Sequence, residues 1–450
     1  MLIEFRIKNF RSFRDQQVLS MVAANDKELR DSNTFETRAF KMGLVRSAVV
    51  YGPNASGKSN LIMAMGFLQL FMLTAVNSPP AVGQRAIDTH LLQPFLLNND
   101  TRQAPIEFEL TFVQHDIRYE YGLTLDRERI YEEWLIAFPK GQPQVWFERM
   151  GLPESDTWYF GPRLAGEKQR LADITRSDVP FLAVGATFGN AQLRTVFEWF
   201  AAQLAVFNPW GNPDLIGKTA HRAAENPQLH QQIRALLAEA DFEINDFAVQ
   251  LIPVGEDPLF SRLPTELLNA MSSGGFQRTE IRMRHQAPET TEGYVELPSQ
   301  DESLGTQRFF AITDPIVTAL ELGQVLAIDE IDDSLHPLLV RRLVELFHSQ
   351  ETNPRCAQLI MNTHDTTMLD TRLFRRDQIW FTERDGRGGS QLYPLSSYSP
   401  RKDESLAKGY LHGRYGAVPN LLELGSTLRL KEASSAPNSN RKLNDAQTTQ

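Results

Sequence analysis

Apolar and polar positions alternate from the start of the chain, where Ile3, Phe5 and Ile7 are separated by Glu4, Arg6 and Lys8. A period of two puts successive side chains on opposite faces, so MLIEFRIKNF predicts a half-buried strand and not the apolar core of a signal peptide. After a polar stretch from Asn25 to Lys41, the residues SAVVY read as a short buried strand running into a glycine-rich loop. Beyond that loop LIMAMGFLQLFMLTAV is almost wholly apolar and predicts a helix, which should stop at Asn77, Ser78, Pro79 and Pro80 because proline cannot continue the helical hydrogen bonding. The apolar run is shorter than the roughly 20 residues that span a bilayer, so a helix packed inside an α/β domain is expected, with no membrane span.

Between Pro105 and Trp134 the period returns to two: IEFELTF and IRYEYGLTL flank a polar turn at Gln114 to Asp116 and predict a β-hairpin. From Phe188 to Ala240 the spacing becomes helical, in LRTVFEWFAAQLAVF and, after Asn226 and Pro227, in LHQQIRALLAEA, which predicts a helical subdomain inserted into the sheet. A polar region from Gly274 to Glu302 gives way to the helical pattern LGTQRFFAITDPIVTALELG and then to the apolar strand VLAID. There is no fixed-period repeat and no sustained heptad run. The polar, Ser-, Asn- and Gln-rich end, ASSAPNSNRKLNDAQTTQ, predicts a disordered tail.

Composition adds two constraints. One cysteine, Cys356, among 450 residues cannot form an internal disulfide, which suits a reducing compartment and leads to a cytoplasmic expectation. A net charge of -10 gives no general attraction to nucleic acid, which needs local Lys and Arg to replace counterions. The best basic candidate is FQRTEIRMRH, with Arg278, Arg282, Arg284 and His285, and an alternating strand with a solvated charged face is the favoured reading of it.

The chemistry is concentrated in a few segments. Gly52, Pro53, Asn54, Ala55, Ser56, Gly57, Lys58 and Ser59 satisfy the pattern G-x-x-x-x-G-K-[ST] between a strand and a helix, with Asn60 following. There the glycines let backbone amides surround phosphates, Lys58 reaches the outer ones and Ser59 ligates magnesium. ATP with Mg2+ is therefore the expected ligand. The second half of such a site is a buried strand ending in acids, and VLAIDEID supplies it: Asp329 to hold magnesium through water, Glu330 to orient and polarise the attacking water.

SLGTQRF, at Ser303 to Phe309, lies just before this strand and resembles the signature motif of ABC-type ATPase heads, although it reads SLGTQ and not LSGGQ, which separates the chain from membrane transporters. The resemblance implies that Ser303 and Gly305 of one copy close over the γ-phosphate held by another, at a helix N-terminus that favours anions. DDSLHP, at Asp332 to Pro337, resembles the D-loop, and LIMNTHD resembles the switch strand, which gives His364 a catalytic role beside Glu330 and Lys58. Gln93 in LLQPF is either a magnesium-sensing Q-loop glutamine or an ordinary loop residue, while Arg11 and Ser12 in NFRSF are candidate nucleotide contacts or the end of an edge strand. FRIKNFRSF, the signature and the Asp-Glu-Ile-Asp strand together look like AAA-type ATPases related to RecF, SMC and overcoming-lysogenisation heads. KGYLHGRYGAVPNL, Lys408 to Leu421, resembles the C-terminal end of RloA-type phage-defence ATPases; read without the resemblance, it is a glycine-punctuated surface loop.

The fold expected is α/β, a P-loop NTPase of ABC-ATPase type with a mixed sheet, an antiparallel hairpin region and a helical insertion. Its parts would be a first ATPase lobe over 1–185, an insertion over 186–300, the second part of the ATPase core over 301–425 and a tail over 426–450. The leading functional expectation is an ATPase that dimerises, or assembles further, around ATP and controls a separate RloB-type or nuclease effector in phage defence. Two alternatives are a RecF- or SMC-like protein that contacts nucleic acid directly and a nucleotide-gated scaffold with little turnover.

Overall fold

The computed structural model describes residues 1–77, 91–152, 155–207, 215–240, 242–253, 260, 263–273, 277–398 and 404–419. Met1–Val418 form one compact unit, and the architecture below is that unit's. The expected helix stop at Pro79 and Pro80 and the expected tail over 426–450 lie outside the described residues, as do Asn420 and Leu421.

The amino-terminal alternation becomes β1 (Leu2–Lys8), which pairs antiparallel with β2 (Gln17–Ser20). A two-residue pair, β3 (Thr34–Phe35) and β4 (Leu44–Val45), precedes β5 (Ser47–Tyr51), the strand before the glycine-rich loop. Next come β6 (Ile106–Gln114) and β7 (Ile117–Leu125), joined at His115 and Asp116, both with positive φ. Two such residues give a turn whose twist matches the flanking strands, so the predicted hairpin closes in register. With β8 (Ile130–Phe138), β9 (Gln144–Gly151) and β10 (Asp156–Phe160) they complete a seven-stranded antiparallel sheet in the order β10-β9-β8-β7-β6-β1-β2.

A second sheet, six-stranded, contains the strands that lead into the glycine-rich loop and the acids Asp329 and Glu330. Its strands are β11 (Leu204–Phe207), β15 (Val325–Ile328), β16 (Gln358–Asn362), β5, β17 (Ile379–Arg384) and β18 (Ser390–Pro394), in that spatial order. All neighbours are parallel except β17 and β18. Parallel strands buried on both faces read as continuous apolar runs, which is why SAVVY and VLAI carry no alternation.

The helix Lys58–Thr74 lies between the two sheets. Phe67 meets Phe10 and Phe108 at ring-centroid distances of 6.3 and 5.7 Å, while Ala48, Val50, Ala327 and Ile360 of the second sheet belong to the same core. A helix covered on several sides is apolar nearly all round. This explains why Lys58–Asn77 is the one described helix long and apolar enough to cross a membrane by composition: its side chains fill the core between two sheets. On the far side of the second sheet Val49, Tyr51, Leu326, Ile328 and Met361 pack against the helices Leu304–Leu322 and Pro337–His348.

Over 186–300, where helical spacing is predicted, the chain forms the helices Ala191–Glu198, Leu215–Glu225, Pro227–Glu239 and Thr265–Ser273. Asn226 caps the third by accepting from the amides of Gln228 and Leu229, with Pro227 at its first position, as the sequence suggests. Strands also fall in this interval, of which only the one carrying Arg278, Arg282, Arg284 and His285 is legible in the sequence as an alternating strand. Leu204–Phe207 joins the parallel sheet as its edge, and β12 (Ile244–Pro253), β13 (Gln277–Gln286) and β14 (Tyr294–Pro298) form a three-stranded antiparallel sheet. On β13 the basic residues are paired: Arg282 with Glu280 at 2.8 Å, Arg284 with Glu296 at 2.8 Å and His285 with Glu302 at 2.7 Å.

Lys408 to Val418 is not a surface loop. Tyr410 and Tyr415 are buried and stack on Phe381 of β17 at 5.5 and 5.8 Å, and Tyr410 also meets Tyr51 at 5.8 Å. The glycines that suggest a loop instead permit close approach: a Cβ at Gly409 would lie 2.7 Å from the Tyr415 hydroxyl.

Candidate nucleotide site

The site lies at the carboxyl ends of β5, β16 and β15. Neighbouring strands stand about 4.8 Å apart, so the loop after β5 and the acids after β15 are about two strand spacings apart, with the end of β16 between them. Residues far apart in sequence thus share one edge.

Backbone clearance defines the loop. A Cβ at Gly52 would strike the Thr382 carbonyl oxygen, and one at Gly57, where φ is 113°, would lie 2.5 Å from Ser390 Oγ and 2.8 Å from Ser12 Oγ. Ser56 is buried and its hydroxyl lies 2.6 Å from that of Thr382, whereas Asn54 and Ala55 are exposed, with Ala55 at φ 62°. Arg384 Nε donates to the Ala55 carbonyl at 2.7 Å and fixes the outer turn of the loop. Pro53 and Ser59 are half-buried, and Asn60 donates to Ser12 Oγ at 2.7 Å.

Lys58 is buried and donates to the carbonyls of Gly52 and Pro53 at 2.9 and 3.2 Å, so the loop holds its own cation in the cradle. Burial pushes its ammonium down from the ordinary lysine value, and the fields of Glu330, Asp329 and Asp332 oppose that shift. Those three carboxylates act on Lys58 within a single copy.

Asp329 is buried and accepts from Asn362 Nδ2 at 2.5 Å, and the Asn362 carboxamide oxygen in turn accepts from the Glu330 amide at 2.5 Å. Glu330 is exposed, at φ 51°, in the left-handed region that non-glycine residues seldom adopt. Arg308 reaches the same place from the helix Leu304–Leu322, donating to the carbonyls of Asp329 and Glu330 at 3.3 Å each and lying 4.7 Å from the Phe207 ring. His364 is exposed over the residue as a whole with its imidazole partly shielded from water, while its amide donates to Asp332 Oδ2 at 3.0 Å. Burial first, and Lys58 next, lower its imidazole below the ordinary value, against the pull of Asp332, Glu330 and Asp329. The following peptide is held from beneath, since Tyr51 donates its hydroxyl to the Asp365 carbonyl at 3.1 Å.

Ser303 is exposed and caps its helix, accepting from the Thr306 amide at 3.1 Å. A Cβ at Gly305 would lie 2.6 Å from the Ser334 carbonyl oxygen, so the start of the signature helix packs on the DDSLHP loop. Ser303 therefore faces outward beside that loop and not into the core. The turn carrying Arg11 meets the Gln93 segment, as the Arg11 amide donates to the Gln93 carbonyl at 2.7 Å, and Ser12 Oγ accepts from Asn60 at the start of the P-loop helix. Sequence reading missed Arg308, Asn362 and Arg384. The only signal was polarity at the end of an apolar run, as in LIMN, and their roles depend on strands paired across long separations.

Among the described residues no three His, Cys, Asp or Glu side chains cluster as a metal site. Magnesium takes one or two protein ligands and fills its octahedron with phosphate oxygens and water, and the Ser59 hydroxyl and the Asp329 carboxylate are oxygen donors that could serve it. Glycine alone fits at Gly52 and Gly57, where the loop packs on Thr382, Ser390 and Ser12, and the loop ends on the buried cation Lys58; closely packed backbone amides beside a lysine are a chemistry that could hold phosphate.

A family model described as "AAA domain, putative AbiEii toxin, Type IV TA system" matches residues 47–169 and 214–370, together more than half of the chain. No curated protein matches the chain significantly. Among solved structures, the SMC head domain from Thermotoga maritima is similar over 87% of this chain and 98% of its own, at 13% identity and a TM-score of 0.38. An SMC head bound to the C-winged helix domain of ScpA is similar over 87% and 97%, at 14% identity and the same TM-score of 0.38.

Proposed function

The chain belongs to this AAA-domain family, and from that premise we propose that it is a magnesium-dependent ATPase whose two copies close head to head around ATP. Lys58 and the amides of the loop hold the outer phosphates, and Ser59 with Asp329 holds magnesium, which supplies charge neutralisation to the departing diphosphate. Glu330 takes the proton of the attacking water while the bond between the β- and γ-phosphates breaks, giving ADP and phosphate. His364 contacts the transferred group, and Ser303 and Gly305 of the second copy cap it through the amides of their helix N-terminus.

One observation carries this reading: the parallel order β15-β16-β5 brings Lys58 after β5, Asp329 and Glu330 after β15 and His364 after β16 to one end of the sheet within a single copy. The exposed position of Ser303 supports the shared site. The test is a pair of substitutions. Lys58→Ala abolishes ATP binding, whereas Glu330→Gln retains binding, loses turnover and accumulates a dimer with ATP in size-exclusion chromatography; equal hydrolysis by Glu330→Gln and the parent would remove Glu330 from its role.

Control of a separate effector in phage defence, RloB-type or nuclease, is the setting we propose, supported by the likeness of Lys408 to Leu421 to RloA-type ATPases and by a family description that refers to a toxin–antitoxin system. The cytoplasm is the proposed location. Direct nucleic-acid binding in the RecF or SMC manner loses its best sequence support, because Arg282, Arg284 and His285 are taken up by carboxylates.

A further inference from the structure

The seven-stranded sheet buries one face, and its outward face changes character from one side to the other. Around β1, β6 and β7 the acids are neutralised: Arg6 bridges Glu4 and Glu109 at 2.6 and 3.2 Å, Lys8 bridges Glu107 at 2.7 Å and Arg118 lies 3.7 Å from Glu120. Toward β10 the cations Arg129 and Arg149 are taken up by Asp156 and Glu133, which alternate to the opposite face from Thr157 and Glu132. Glu132 and Glu148 are exposed, and among the described residues neither has an ion-pair partner.

The register places apolar side chains between these two acids. Glu132 pairs with Met150, Trp134 with Glu148, Glu148 with Tyr159 and Met150 with Thr157, so all six lie on one face of three adjacent strands. Together with Glu133, Arg149 and Trp158 they line a groove of about 390 Å³, and the Arg149 side chain is fully buried against Glu133 and Asp156. Met150 and Tyr159 are 54% and 52% exposed, an unusual investment of large apolar surface in water. Trp134 is held flat on the sheet because its indole covers Gly122, where a Cβ would collide with the ring.

We propose that this groove docks a short cationic segment of a separate protein, with Lys or Arg groups on Glu132 and Glu148 and an apolar side chain among Trp134, Met150 and Tyr159. Charge decides among occupants. A nucleic-acid phosphate would meet two uncompensated carboxylates, and a second copy would bring the same acidic groove from a chain of net charge -10. Six side chains fall well short of the roughly 800 Å² per partner that a stable globular interface buries, which points to a segment and not a broad face. Aromatic rings beside carboxylates also suit guanidinium and ammonium groups, through cation–π contact as well as pairing. No groove residue belongs to the nucleotide site, so the inference stands apart from the ATPase reading.

The test uses the full chain without nucleotide and a fluorescent peptide of alternating Lys and Leu, followed by anisotropy. Glu132→Lys with Glu148→Lys should weaken binding by about tenfold or more, while Glu198→Lys with Glu239→Lys, an equal change of net charge elsewhere on the surface, should alter it by less than about twofold. Tyr159→Ala, which leaves charge untouched, should also weaken binding severalfold. Equal weakening by the two charge-reversed pairs would reduce the effect to diffuse attraction and overturn the proposal. So would an unchanged affinity in Tyr159→Ala, equally tight binding of a Glu–Leu peptide or a DNA duplex, or a self-association that the Glu132/Glu148 pair abolishes.

Discussion

At Gly57 the proposed phosphate loop packs too closely on its neighbours to admit one more methyl group. The added Cβ would fall against Ser390 Oγ and Ser12 Oγ, on a backbone at φ 113° that side chains rarely adopt. Gly57→Ala is therefore expected to lose ATP binding in titration calorimetry, and to lower the melting temperature only modestly because the core helix beneath is unchanged. A second residue-scale prediction concerns His348, buried with its Nε2 2.8 Å from Ser47 Oγ. Burial, reinforced by nearby Arg46, pushes its imidazole from 6.5 down to about 3. Between those values the unfolded chain binds the proton and the native chain does not, so this contribution to stability rises with pH through that window and is lost as pH falls from about 6.5 toward 3. His348→Gln should flatten the dependence of unfolding free energy on pH by about 1.4 kcal/mol per pH unit within the window, read by urea denaturation at pH 6 and pH 5. An unchanged slope would mean that His348 is charged in the native state.

At the scale of elements, the carboxy-terminal clasp shows how a segment can look idle in sequence and be structural in the fold. Tyr415 is 1% exposed, stacks on Phe381, and its hydroxyl donates to Glu404 at 2.7 Å, while Tyr410 donates to the Ala417 carbonyl at 2.9 Å. Tyr415→Ala should lower the unfolding free energy by about 3–5 kcal/mol, as large-to-small core changes do, whereas Tyr410→Phe, which keeps the ring, should lower it by about 1 kcal/mol in urea titrations. The glycines at 409, 413 and 416 conceal this in sequence, because glycine marks both exposed turns and close packing. The strands SAVVY and VLAI were legible because a buried parallel strand is a short apolar run that ends where the chemistry begins. LAVF at Leu204 was hidden inside a helical spacing, since four residues hold too little period, whereas β13 was legible as an alternating strand although its partners β12 and β14 were not. The loop residues 52–59 and the acids Asp329 and Glu330 could be found by pattern. Asn362 and Arg308 could not, since each matters only once β16 lies beside β15 and the signature helix crosses the end of β15.

For the whole molecule, the proposed site is one completed by two copies. Within one copy the signature helix is tied by Arg308 to the carbonyls of Asp329 and Glu330, and its exposed start carries Ser303. A copy that donates its cap to a neighbour is thereby linked to its own acids, which gives the two sites of a symmetric pair a physical route for coupling. The most direct measurement is ATPase activity on mixing two variants that are each inactive alone: Lys58→Ala, which lacks a working cradle, and Ser303→Arg, which lacks a working cap. In a mixed pair one cradle is intact and faces an intact cap. Shared sites predict that equimolar mixing restores about a quarter of parental activity, since half of randomly formed pairs are mixed and each of those has one complete site of two. No recovery on mixing, or full activity of Ser303→Arg alone, would contradict the account.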